Sequence, residues 1–164
     1  MMRMTKRTLL ASAAAAIGGF ALGGCSRQSA ITAGATFEVV KTPAQWRAIL
    51  TPAQYQILRE AGTERAGSSP LNAEKRRGNY VCAGCQLPLY TSQTKFESGT
   101  GWPSFTAPID NAVRTRPDPG LFGPRTEVHC RRCGGHLGHV FDDGPPPTGQ
   151  RWCMNGVAME FVAA

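Results

Sequence analysis

Six cysteines and three histidines carry most of the chemistry available to this 164-residue chain. Four of the cysteines form two tight pairs, Cys82-Ala-Gly-Cys85 and Cys130-Arg-Arg-Cys133, with 44 residues between the pairs. A C-x-x-C turn lets both sulfurs reach one ion, and two such turns supply the four thiolates of a closed tetrahedral zinc site. Gly84 before the second cysteine of one pair, and Gly134-Gly135 after the other, suit backbones that fold their N–H groups toward sulfur. Two disulfides, or one redox-active C-x-x-C, are the competing readings of the same residues. A fifth cysteine, Cys153, stands in Arg151-Trp152-Cys153-Met154-Asn155. On a strand, Arg151, Cys153 and Asn155 share one face, and Trp152 and Met154 point to the other, into the core. A cation beside a thiol favours thiolate, the soft nucleophile that redox and acyl chemistry both use. His136 and His139 lie 17 and 14 residues upstream, across a turn, so a hairpin brings at least one of them beside Cys153. Cys153 as an inert buried thiol, and the histidines as zinc ligands in place of a cysteine, are the plainer alternatives.

The elements that must position these groups follow from the rest of the chain. Nineteen glycines, twelve prolines and only 18% charged residues favour short strands joined by many turns over a helical bundle. The length suffices for one domain with a real core. Residues 1–24 read as a signal peptide: a basic start (Arg3, Lys6, Arg7), an apolar run from Leu9 to Leu22, then Leu22-Gly23-Gly24-Cys25. That ending resembles a bacterial lipoprotein signal, with Cys25 as the residue to be lipidated. An ordinary secretory signal and a single membrane anchor compete with it. Thr5-Lys6-Arg7-Thr8-Leu9-Leu10 also has the look of a twin-arginine signal. Removal of Arg3, Lys6 and Arg7 takes the formal charge from +7 to +4, too mild to suggest a nucleic-acid footprint. Residues 25–41 read as a lipidated N-terminus and flexible tether, and 42–164 as the domain.

Thr-Pro-Ala-Gln occurs at Thr42–Gln45 and again at Thr51–Gln54, each a helix start with a threonine cap and a glutamine reaching back. Ala61-Gly62 stops the second helix, and Thr63 and Glu64 read as turn residues. Gly78–Cys82 and Leu87–Tyr90 flank the first cysteine turn like a hairpin. Lys95–Phe105 runs from a strand end into a Gly-rich loop that lifts Trp102 as a recognition surface. Arg114–Pro124 reads as a long loop, and Arg125–His129, Gly138–Phe141, Arg151–Asn155 and Val157–Val162 as strands. The expected fold is a mainly antiparallel β domain with small helices at its N-terminal side.

Three segments together carry a family resemblance: Gly99-Thr100-Gly101-Trp102-Pro103-Ser104-Phe105, the run Cys133-Gly134-Gly135-His136-Leu137-Gly138-His139-Val140-Phe141-Asp142-Asp143-Gly144-Pro145, and Arg151–Asn155. With Leu50–Glu64 and both cysteine turns, they resemble the B-type peptide-methionine (R)-S-oxide reductases over residues 40–162. The resemblance implies a β-tent of two antiparallel sheets and one structural zinc held by Cys82, Cys85, Cys130 and Cys133. It implies Cys153 as nucleophile, with His139, His136, Arg151 and Asn155 completing the catalytic set and Trp102 and Phe141 binding the substrate. His139 is the first choice for protonating the sulfoxide oxygen, because imidazole titrates near neutral pH. It further implies oxidised proteins as substrates and a small thiol or thioredoxin-like reductant. With Cys25 lipidated, the enzyme would be a monomer anchored in the bacterial cell envelope, facing the periplasm. Many members of that family carry a recycling cysteine where this chain has Thr100, which cannot resolve a sulfenic acid as a disulfide. A zinc-ribbon binding module, a disulfide-stapled envelope protein and a cysteine hydrolase are the rival classes.

Overall fold

The computed structural model describes residues 37–120 and 123–164; residues 1–24, where a signal peptide is expected, and Cys25 lie outside the described residues. Two short helices open the domain, α1 (Pro43–Ile49) and α2 (Pro52–Glu60). Both carry the capping box the sequence announces. Thr42 Oγ1 accepts from Gln45 N–H at 3.2 Å while Gln45 Oε1 accepts from Thr42 N–H at 2.8 Å. Thr51 and Gln54 repeat the exchange at 3.2 and 3.0 Å. Ala61, not Gly62, takes the left-handed conformation that ends α2 (φ +52°).

Nine strands follow among the described residues: β1 (Gly78–Cys82), β2 (Pro88–Thr91), β3 (Lys95–Phe96), β4 (Ser104–Phe105), β5 (Val113–Asp118), β6 (Arg125–Cys130), β7 (His136–Phe141), β8 (Arg151–Met154) and β9 (Met159–Ala163). They make two antiparallel sheets, one of order β2-β1-β9 and one of order β3-β4-β8-β7-β6-β5. Between them lies a core of Tyr80, Leu89, Tyr90, Phe105, Val128, Leu137 and Met154, all fully buried, which Trp46, Leu50, Ile57 and Leu58 of the helices extend. Tyr90 stacks on Phe105 at 4.3 Å and donates its hydroxyl to Met154 Sδ at 3.1 Å. Met154 thus faces the core as expected. Trp152 is only half-buried.

Two local readings change. Arg114–Asp118 is not loop but most of strand β5. It lies at the sheet edge and pairs with β6 alone, so its exposed Arg114, Thr115 and Arg116 show no apolar alternation and Pro117 is tolerated. Residues 37–39, placed in the tether by sequence, are docked. Val39 N–H donates to Arg132 O at 3.0 Å, and Glu38 pairs with Arg131 and Arg132. A Cβ on Gly134, itself at φ +68°, would meet the Phe37 ring at 2.5 Å. Ordered structure therefore begins before Thr42.

Candidate active site and metal centre

Both cysteine turns place a left-handed residue directly after the second cysteine, Gln86 (φ +59°) and Gly134 (φ +68°). Gly84 is not used for its conformation. The turns close with Gln86 N–H to Cys82 O at 2.8 Å and Gly134 N–H to Cys130 O at 2.9 Å. They bring four sulfurs within 4.8 Å of one another, with Cys82–Cys133 at 3.7 Å and Cys85–Cys130 at 3.5 Å. A tetrahedron of thiolates at the usual zinc–sulfur distance has edges of about 3.8 Å. The four sulfurs fit a tetrahedral ion and are too far apart for two S–S bonds. Hydrogen bonding among the sulfurs drives Cys82 and Cys133 up and Cys85 and Cys130 down. Four thiolates this close need a cation to share them. Such an ion would clasp the β1–β2 turn to the β6–β7 turn.

Cys153 sits on β8 directly opposite His139 of β7, with Gly138 opposite Met154. The strands close here because Gly138 lacks a side chain; a Cβ would stand 2.1 Å from Cys153 O. His136 and His139 are three apart, a spacing that puts side chains on opposite faces of a regular strand. A bulge removes the problem. His129 pairs with His136 and Val128 with Gly138, so Leu137 is the extra residue, and both histidines share the face of Glu127. Their rings lie 5.4 Å apart, edge to face.

Each imidazole is held by a carboxylate and each carboxylate by an arginine. His136 Nδ1 lies 2.9 Å from Glu127 Oε1, and Arg116 grips Glu127. His139 Nε2 lies 2.7 Å from Asp118 Oδ2, which also pairs with Arg125 at 2.7 Å. Burial pushes Glu127 up, but the bonds from His136 and Arg116 outweigh it and hold the carboxyl at about 2. The bond to His139, then Gly120 N–H and Arg125, hold Asp118 at about 2 as well. Burial lowers His139 despite Asp118, so this imidazole is neutral near pH 7 rather than a ready acid. Asp118 is ionised and accepts only, so His139 Nε2 carries the hydrogen and Nδ1 keeps its lone pair.

The thiol itself departs from expectation. Arg151 does attract the thiolate, and the Thr100 hydroxyl faces it, but burial is the larger effect and raises Cys153 above the ordinary thiol value. Arg151 is committed elsewhere: it forks onto Asp143 with two 2.8 Å bonds and lies 4.4 Å over the Phe141 ring. Asn155 has left the strand and heads the 3₁₀ helix Gly156–Ala158. Its Nδ2 donates to Leu137 O at 3.0 Å and its Oδ1 accepts from Glu64 N–H at 2.9 Å, so its amide fixes the turn after Cys153.

Glu64 is the residue the sequence reading missed. Its carboxylate accepts Gly156 N–H at 2.6 Å and Val157 N–H at 3.0 Å, and its carbonyl accepts Trp102 Nε1–H at 3.2 Å. One buried residue thus ties the indole to the turn behind Cys153. No periodicity or spacing marks such a role, because every contact is more than 30 residues away. Thr63 beside it lines a cavity of about 130 Å3 together with Trp102, Arg125, Gly138, His139, Phe141, Cys153 and Asn155. The cavity suits one flexible side chain presented to a thiol, with an aromatic wall and an imidazole opposite. A more polar cavity of about 370 Å3 adjoins it, sharing Thr63, Arg125 and His139.

A family model described as the SelR domain matches residues 50–163. The chain is 54% identical over 126 residues to the peptide methionine sulfoxide reductase MsrB of Pseudomonas putida (strain W619), covering 76% of this chain and 94% of that protein. The protein of the same name from Methanosarcina mazei is 52% identical over 126 residues, with 76% and 90% covered. That of Thiobacillus denitrificans is 54% identical over 122 residues, with 74% and 92% covered.

Proposed function

We propose, from the premise that the chain belongs to the SelR-domain family and is a peptide methionine sulfoxide reductase of the MsrB type, that its reaction runs on the Cys153 sulfur and selects the R epimer. The observation that carries this reading is the register pair His139–Cys153 at the floor of a cavity walled by Trp102 and Phe141. The sulfoxide methyl group rests on the indole of Trp102, whose orientation Glu64 O fixes. That placement sets the sulfur before Cys153 and its oxygen toward His139.

The resting pair is uncharged, thiol and neutral imidazole, because burial disfavours charge on both. The proton that the sulfoxide oxygen needs is therefore already in the site, on Cys153. His139 Nδ1 takes it as sulfur attacks sulfur, while Asp118 supports the imidazolium at Nε2, and then delivers it to the oxygen. Cys153 thiol and methionine sulfoxide become Cys153 sulfenic acid and methionine. Two external thiols then return Cys153 to the thiol, yielding a disulfide and water. The reductant is external because, among the described residues, every other cysteine belongs to the metal cluster. A small thiol or a thioredoxin-like protein fills the role. Zinc bound by Cys82, Cys85, Cys130 and Cys133 would supply folding energy.

Residues 1–24 serve as a lipoprotein-type signal and Cys25 as the lipidated residue, which places the monomeric enzyme on the envelope facing the periplasm, where it repairs oxidised proteins. The apolar run closing on Leu22-Gly23-Gly24-Cys25 supports this. The test is steady-state turnover of separated R and S epimers of a methionine sulfoxide peptide with dithiothreitol. Turnover of R alone is expected; equal turnover of both epimers, or of S alone, overturns the reading.

A further inference from the structure

Cys153 Sγ has a second side. Ser98, Thr100 and Ser104 gather there, and none of them lines the substrate cavity. Ser98 Oγ lies 2.8 Å from both Thr100 Oγ1 and Ser104 Oγ. Ser104, fully buried and directly opposite Cys153 across β4 and β8, donates to Trp102 O at 3.1 Å. Thr100 Oγ1 stands 4.0 Å from Cys153 Sγ. The carbonyl of Trp102 only accepts, which sets the direction of the chain. Ser104 gives its hydrogen to Trp102 and Ser98 gives its own to Ser104. Ser98 Oγ also receives Thr100 N–H at 3.4 Å. The Thr100 hydroxyl hydrogen is then the one with a choice, between Ser98 Oγ and Cys153 Sγ.

A gap of 4.0 Å is long for a bond to a resting thiol. It is the gap into which one oxygen fits, because an oxygen on Sγ would bring the contact toward the usual O–H···O length of about 2.7–2.8 Å. We infer that the Ser98–Thr100–Ser104 hydroxyl chain receives the oxygen of the Cys153 sulfenic acid, with Thr100 donating to it, and prepares that oxygen to leave. This rests on the reductase reading. An external thiolate enters from the vacated cavity and attacks Sγ. The S–S bond forms as the S–O bond breaks, and the oxygen departs toward Thr100 as hydroxide and takes up the proton that the entering thiol released, becoming water. A second thiol opens the mixed disulfide and restores the Cys153 thiol. The hydroxyls thereby supply, to a chain with no second thiol beside Cys153 among its described residues, a path for reduction by thiols from outside.

The experiment separates the two half-reactions on the full chain. The protein is charged with one equivalent of the R-sulfoxide peptide without thiol, then mixed with dithiothreitol, and loss of the sulfenic form is followed by quenched intact mass. Thr100→Val is expected to slow that loss about tenfold, the value of one hydrogen bond to a group acquiring charge. Thr100→Ser is expected to return it to within about twofold. Should Thr100→Val fail to fold, Thr100→Ala removes the same hydroxyl without a branched side chain and is expected to slow the same step about tenfold. Reduction of the valine or the alanine variant at the wild-type rate overturns the inference, as does a serine variant as slow as valine. Failure of the wild-type chain to make methionine during charging would instead overturn the reductase reading.

Discussion

Replacing Glu64 by alanine is expected to cost more than any surface carboxylate should. The side chain pairs with no cation among the described residues; its partners are Gly156 N–H at 2.6 Å and Val157 N–H at 3.0 Å. These are the first donors of the 3₁₀ helix Gly156–Ala158, whose N-cap Asn155 offers no side-chain bond of its own. Glu64 therefore caps that helix from across the fold. A hydrogen bond to a charged group contributes about 1.5–3 kcal/mol, and a buried donor left unpaired costs about 1–3 kcal/mol. Gly156 is buried and Val157 only half-buried, so water can reach one donor in the variant and not the other. The expected loss is about 3–4 kcal/mol for Glu64→Ala, a large share of a typical domain's stability. Glu64→Gln keeps one acceptor but opposes an amide N–H to the other donor, and should lose about half as much. Urea unfolding measures both. The main chain of residue 64 also anchors Trp102 and Asn155, so kcat/KM should fall with stability and the tryptophan emission should shift. A loss below about 1 kcal/mol in the alanine variant, or glutamine as damaging as alanine, would refute the capping argument.

Further outcomes follow from the same geometry. If the four thiolates hold a metal ion as proposed, Cys82→Ser should reduce bound metal from one ion per chain to near none by metal analysis and lower stability by about 5 kcal/mol or more, since metal binding is folding energy in such a site; a stable metal-free variant would contradict the clasp. On the proposed mechanism protonation of His139 removes the base, and burial holds this imidazole below the ordinary 6.5, so the acid limb of kcat/KM should be centred below pH 6.5; an acid limb centred above pH 7 would contradict it. Glu127 is held at about 2 against an ordinary 4.5, so its stabilising contribution is complete above pH 4.5 and is lost as pH falls toward 2. Between pH 6 and pH 3 the wild-type chain should lose about 2 kcal/mol more than Glu127→Gln in urea unfolding.

How much of this was legible depended on whether a residue's partner was near in sequence. Thr42–Gln45 and Thr51–Gln54 are local devices, and both helices begin where those residues put them. The four cysteines announce their cluster because a C-x-x-C turn is itself local. Strand β5 was hidden because an edge strand with one exposed face has no apolar period, and Pro117 argued against it. The bulge at Leu137, which alone puts both histidines on one face, has no composition signal. Asn155 was assigned to a face by strand alternation that ends one residue too early. The thiol was expected to be lowered by its neighbour Arg151, but burial, which no sequence neighbour reveals, is the larger effect. Glu64 looks like a turn residue in sequence because all it holds lies on other segments.

The most direct test of the account is a single turnover without any thiol. The full chain is mixed with a racemic methionine sulfoxide peptide, and methionine formed per chain is counted alongside the intact mass of the protein. The account predicts one methionine per chain, drawn from the R epimer, with one oxygen gained at Cys153 and neither event in Cys153→Ser. Methionine formation in Cys153→Ser, or more than one methionine per wild-type chain in the absence of thiol, would contradict it.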